Sequence, residues 1–191
     1  MARERRAARR ALALAVAPCL ALALVAPAAR ADTGAGRAAA CDPDHERCLG
    51  GRRLLYWYGY GLGVHPFTTP EAVRRQLTDN FRLFPVSGSC PGRVRTGDEC
   101  DLLGGNPVRV ESAVGDHLRI ATLPGHDLGE GLHIRFTFTR SLGFHYLDVA
   151  AWQDRETECT GNVLCGAASR AGAWALWQVL AGTLTLSAWA A

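Results

Sequence analysis

Between Pro107 and Trp152 the apolar residues fall on every second position, run after run. Side chains of a strand point alternately to its two faces, so this period commits the segment to a sheet with one packed face. Val108, Val110, Ser112 and Val114 share a face, and Gly115-Asp116 turns the chain. Leu118 and Ile120 then alternate with His117 and Arg119. Leu132, Ile134, Phe136 and Phe138 alternate with His133, Arg135, Thr137 and Thr139, and a last strand runs from Gly143 to Trp152. The pattern predicts an antiparallel meander. With Ser141-Leu142 as the final turn, Phe138 faces His145, Phe136 faces Leu147, Ile134 faces Val149 and Leu132 faces Ala151. All but the first are apolar pairs. His145 then lies on the core face, with Asp148 on the opposite face of its own strand. It is expected to be neutral there, as a hydrogen-bonded core histidine or as a ligand contact.

Helices flank this meander. Thr68 and Glu71 fit a capping box with Pro70 in the first turn, which predicts a short helix near 69–80 carrying Val73 and Leu77 on one face and Phe81 beyond. After residue 166, Trp174, Leu176, Trp177, Val179, Leu180, Leu184, Leu186 and Trp189 follow with no charge beyond Arg170. This reads as a carboxy-terminal helix lying across the sheet, with a tail anchor as the alternative. The predicted class is therefore α+β, an antiparallel β-meander packed against that helix. Upstream, Arg52–Tyr60 suits a strand, which Gly59, Gly61 and Gly63 are expected to end. These glycines complete neither a G-x-G-x-x-G nor a Walker pattern.

The amino terminus reads as an export signal. Arg3, Arg5, Arg6, Arg9 and Arg10 precede an uncharged apolar run to Ala26, and Ala29-Arg30-Ala31 offers a cleavage site before Asp32. Residues 1–31 are thus a signal peptide, 32–51 a Gly/Ala-rich arm, and 52–191 one domain. The run is shorter than the ~20 residues of a spanning helix, so a retained membrane anchor is not expected. Without the leader the chain carries 15 Arg against 17 acids, so the net positive charge belongs to the leader and no nucleic-acid footprint remains. The chain has no lysine, and abundant Arg, Ala and Gly match the codon usage of a GC-rich bacterial genome.

Removing the leader also removes Cys19 and leaves six cysteines: Cys41, Cys48, Cys90, Cys100, Cys159 and Cys165. Their spacing favours three local disulfides, 41–48, 90–100 and 159–165, because short loops close with little entropy loss. No pair has C-x-x-C spacing and an exported chain meets oxidising conditions, so disulfides are preferred to zinc and no metal or cofactor is expected.

Thr122–Glu130 is the most distinctive stretch. Pro124 and Gly125 force a turn that concentrates His126, Asp127 and Glu130 at its rim. These residue types suit general acid–base chemistry, and a solvated turn accounts for them equally. No serine elbow and no unpaired cysteine of the mature chain suggests a nucleophile. The stretch resembles the T-L-P-G-H-P-x-x-G-E segment of a domain-of-unknown-function family found in actinobacteria and plants. Here Asp127 replaces the proline, and one residue fewer precedes Gly129. The resemblance spans about residues 107–184 and implies a strand-rich body with a closing helix near Ala173–Leu184. That body is similar to helix-grip proteins that hold apolar ligands. The leading expectation is a secreted, non-enzymatic module binding an apolar ligand, such as a small molecule or lipid, or a partner, with His145, Phe136, Trp174 and Trp177 as candidate contacts. The alternative is a secreted hydrolase-type enzyme or effector using His126, Asp127 and Glu130, with His133 as a further candidate that the strand alternation points away from the Phe136 face.

Overall fold

The computed structural model describes residues 53–188. The signal peptide, the arm and the Cys41–Cys48 bridge read from the sequence lie outside the described residues. The chain runs through β1 (Arg53–Val64), α1 (Pro70–Asp79), a 3₁₀ turn (Phe81–Leu83), β2 (Glu99–Leu102), β3 (Asn106–Val114) and β4 (His117–Thr122). It continues through β5 (Leu132–Ser141), β6 (Phe144–Gln153), α2 (Glu158–Gly161) and α3 (Val163–Ala188). The six strands form one antiparallel sheet in the order β1-β6-β5-β4-β3-β2. β2 to β6 are a simple meander, and β1 joins its far edge by pairing with β6. The architecture is α+β, as the alternation predicts.

The long helix packs on one face of this sheet. Trp177, Leu180, Ala181 and Leu184 recur at helical spacing and are buried in one cluster with Tyr60, Leu62, Phe136, Phe138, Leu147 and Val149. Tyrosines on β1 fasten the helix: the Tyr58 hydroxyl donates to the Arg170 carbonyl and the Tyr60 hydroxyl to the Trp174 carbonyl, each at 3.0 Å. Asn162 caps α3, its Oδ1 accepting the amides of Leu164 and Cys165. Among the described residues no helix is long and apolar enough to cross a membrane. Cys90–Cys100 and Cys159–Cys165 are bonded, as the spacing suggests.

Four local expectations are corrected. The glycines of β1 do not end the strand, which continues through them to Val64. A register shift between Gly61 and Gly63, where Gly63 takes φ 89°, lets the strand bend without leaving the ladder. The cap of α1 is Thr69, whose Oγ1 accepts the Ala72 amide at 3.1 Å, rather than Thr68. Pro70 thereby occupies the first helical position, where its missing N–H costs nothing. In β3 a bulge between Val110 and Ser112 breaks the shared face. Val108 and Val110 are buried, Val114 is exposed, and Ala113 packs on the core instead.

The fourth correction is the last hairpin. Ser141 pairs with Phe144, so the turn is Leu142-Gly143 and the register is two residues away from the one expected. Phe138 faces Leu147, Phe136 faces Val149, Ile134 faces Ala151 and Leu132 faces Gln153. Leu142 and Gly143 both take positive φ, 50° and 83°, as a tight hairpin turn with the right twist demands, and glycine meets that demand at the second position. Because the slip is an even number of residues, every side chain keeps its face. His145 stays on the core side, now opposite Arg140, and is 1% exposed. Its Nε2–H donates to the His65 carbonyl at 3.1 Å, and burial holds its pKa below the ordinary value.

Candidate functional site

Between α3 and the amino-terminal end of β5 the sheet and helix do not close completely. They leave a cavity of about 350 Å³ whose wall is mostly apolar. Phe136 sits at its base, fully buried, with its ring edge-on to Trp177 at 4.9 Å and to Phe84 at 5.6 Å. Leu132 and Ile134 of β5 line one side and Leu176 and Trp177 of α3 the other. Phe84 ends the 3₁₀ turn, and the segment after it is held against the end of β2, Ser89 donating to the Asp101 carbonyl and Leu103 to the Val86 carbonyl. Gly88 makes this possible: it takes φ 53°, and a Cβ there would overlap the backbone of Asp101 and Leu102. Tyr56 completes the wall from β1. Its hydroxyl accepts the Trp177 Nε1–H at 3.2 Å, and burial drives its pKa far above the ordinary phenol value.

The Thr122–Glu130 stretch forms part of the mouth. Thr122 ties the loop base twice: its Oγ1 donates to the Gly129 carbonyl at 2.7 Å and accepts the Leu132 amide at 2.9 Å. Asn106 holds the tip, accepting the Asp127 amide at 2.8 Å and donating to the Asp127 carboxylate at 3.1 Å. Gly129, at φ 86°, lies so close to Thr157 that a Cβ would collide with it. The His126 Nδ1 accepts the Leu128 amide at 3.1 Å, which leaves Nε2 to carry the proton of the neutral ring. Partial burial lowers its pKa against the opposing pull of Asp127. His126, Asp127 and Leu128 all line the cavity.

Glu130 does not join them. It is exposed, lies outside the cavity lining and forms an ion pair with Arg155 at 3.4 Å. His133 lies on the opposite face of the sheet, buried, with Nδ1 2.9 Å from a Glu111 oxygen and Nε2 3.2 Å from an Asp154 oxygen. The acid–base set considered from the sequence is therefore dispersed: two residues at the cavity mouth, one turned outward and one behind the sheet. Among the described residues no group of three His, Cys, Asp or Glu side chains is arranged to hold a metal ion.

Of the candidate ligand contacts, Phe136 and Trp177 line the cavity, whereas His145 and Trp174 do not. Tyr56, Phe84 and Gln153 also line it and were not singled out from the sequence. The Tyr56-x-Tyr58-x-Tyr60 alternation was available as a signal for a shared aromatic face. Gln153, at the end of β6 between Trp152 and Asp154, looks like any polar strand terminus.

No protein-family model matches the chain, and no curated protein matches it. Among solved structures, Ara h 8.0201 is similar with a TM-score of 0.46 and 9% identity, over 68% of this chain and 97% of that one. The protein MLL2253 from Mesorhizobium loti gives a TM-score of 0.47 and 14% identity, over 69% and 95% of the two chains. DynU16, a protein of the dynemicin biosynthetic locus, gives 0.42 and 21% over 68% of this chain. The alignment spans 45% of DynU16, under half its length. These are likenesses of chain path at low identity.

Proposed function

We propose that this domain binds a small apolar molecule in the cavity beneath α3 and, delivered by its amino-terminal leader, does so outside the cytoplasm. One observation carries the binding reading: a cavity of about 350 Å³, walled by Phe84, Leu132, Ile134, Phe136, Leu176 and Trp177, whose exposed lining surface is mostly apolar. Ligand sites have this size and composition, with an apolar wall and a small number of placed polar groups. The Thr122–Glu130 loop supports the same reading. Most of its polar groups are spent holding the loop in shape, and Leu128 extends the apolar lining at the mouth. Kinship to the family that carries the related T-L-P-G-H motif is part of this proposal.

Titration with the neutral apolar fluorophore N-phenyl-1-naphthylamine tests it. Saturable binding at one site is expected, and Ala173→Trp, which fills the cavity from α3, abolishes it while the protein stays folded. A folded wild-type protein that takes up no dye overturns the reading. The export half is read separately, by amino-terminal sequencing of protein recovered from the culture medium, where Asp32 is the expected first residue.

A further inference from the structure

Gln153 is 3% exposed, and both its Oε1 and its Nε2 are closed to solvent with no hydrogen-bond partner among the described residues. A buried carboxamide without partners is costly, and native proteins seldom leave one so. Its location gives the reason for keeping it. Gln153 ends β6 opposite Leu132, on the face shared with Val149 and Ala151 that looks toward α3, and it lines the cavity. Several other polar groups of the wall are held within the protein: Thr122 by Gly129 and Leu132, Asn106 by Asp127, Thr160 by Thr157, and the His126 Nδ1 by Leu128, while the half-buried His126 keeps its Nε2 proton to donate. Tyr56, whose partner on β6 is Ala151, accepts from Trp177 and retains its own hydroxyl proton to donate.

The chemistry around Gln153 selects a polar group. A carboxamide offers one acceptor oxygen and a donating nitrogen, and a phenol adds a donor. A hydroxyl, which gives one hydrogen bond and takes others, matches this set. An ionised head does not, because the charged residues of the lining, Asp127 and Arg170, are both exposed and Asp127 is engaged by Asn106. A charge buried beside Gln153, away from those exposed residues, carries a large desolvation cost, which favours a neutral head. At roughly 30 Å³ for each water-sized group, the cavity holds an occupant of about a dozen such groups.

We infer that the ligand is a medium-sized apolar alcohol whose hydroxyl pairs with the Gln153 carboxamide once that side chain turns from its closed position toward the cavity, with the Tyr56 hydroxyl on the same wall as a further donor. This rests on the binding reading above and deepens it. The test is displacement of N-phenyl-1-naphthylamine by 1-decanol and by decanoate, from wild type, Gln153→Leu and Gln153→Met. Two apolar replacements are used so that a failure of one to fold leaves the other readable. In wild type, 1-decanol displaces the dye at about tenfold lower concentration than decanoate. In both variants the 1-decanol needed for displacement, normalised to that variant's own measured dye affinity, rises about tenfold, the ratio that one lost hydrogen bond of ~1.4 kcal/mol produces. Dye binding with equal 1-decanol displacement from wild type and variants overturns the Gln153 inference and leaves the cavity reading standing. Decanoate displacing as well as 1-decanol overturns the choice of a neutral head. Absence of dye binding to wild type overturns the cavity reading, and the inference with it.

Discussion

Replacing Phe136 by alanine removes the side chain that joins the sheet, α3 and the 3₁₀ turn at the base of the cavity. Phe136 is 0% exposed and meets Trp177 and Phe84 edge-on. Returning a buried phenylalanine to water forfeits about 2–3 kcal/mol of transfer free energy. Each aromatic pair adds about 0.5–1.5 kcal/mol beyond its area. These contributions overlap, and together they point to a loss of about 4 kcal/mol, within the range of roughly 3–5 kcal/mol for buried Phe→Ala changes. For a domain of this size that corresponds to a fall in melting temperature of about 8–16 °C. The assay is urea unfolding of the oxidised protein, followed by tryptophan fluorescence, with and without toluene. Because the deleted ring borders an existing cavity, the enlarged space should accept toluene and recover about 2.7 kcal/mol at a hundredfold excess over its dissociation constant. A loss under about 1 kcal/mol would refute the placement of Phe136 between sheet and helix. A full loss that toluene leaves untouched would refute its placement on the cavity wall.

Three further perturbations probe other parts of the structure. The pKa of His145 lies below the ordinary 6.5, so as pH falls through that value the unfolded chain takes up a proton that the fold resists, and stability drops. Comparing urea midpoints at about pH 7.5 and 5.5, His145→Phe should shrink this drop while His126, shifted in the same direction, preserves part of it. An unchanged drop would contradict the burial of a neutral His145. Thr69→Ala should cost about 1 kcal/mol through the lost cap of α1, and Thr68→Ala much less; equal losses would return the cap to doubt. Gly88→Ala should destabilise by about 2–3 kcal/mol, since its Cβ has no room against Asp101 and Leu102 and its φ of 53° disfavours other residues; thermal melting within a degree of wild type would be the contrary result.

The alternation of β4 to β6 is a local property, because each side chain's face follows from its parity in the strand. Leu118, Ile120, Phe136, Phe138 and Leu147 could therefore be assigned to the core from sequence, and the slip of two residues in the last hairpin moved none of them across the sheet. The stripe of Trp177, Leu180 and Leu184 marked the helix for the same reason, and the spacing of Cys90–Cys100 and Cys159–Cys165 was short enough to identify partners. The turn that set the hairpin register was decided by backbone angles at Leu142 and Gly143, and the bulge after Val110 by its pairing with β4. The bulge leaves no pattern along the chain, and Gly143 alone does not say which adjacent pair forms the turn. The site was least legible. Its wall draws on Tyr56, Phe84, Phe136, Gln153 and Trp177, spread over more than a hundred residues. A cavity is a failure of several elements to close on one another, so it is a property of their packing and of no single segment. The residues that looked chemical in sequence are close along the chain yet dispersed: His126 and Asp127 at the cavity, Glu130 turned outward and His133 on the opposite face of the sheet. Gln153, which looked like a strand end, becomes distinctive only when α3 and β5 take it out of water and leave it without a partner.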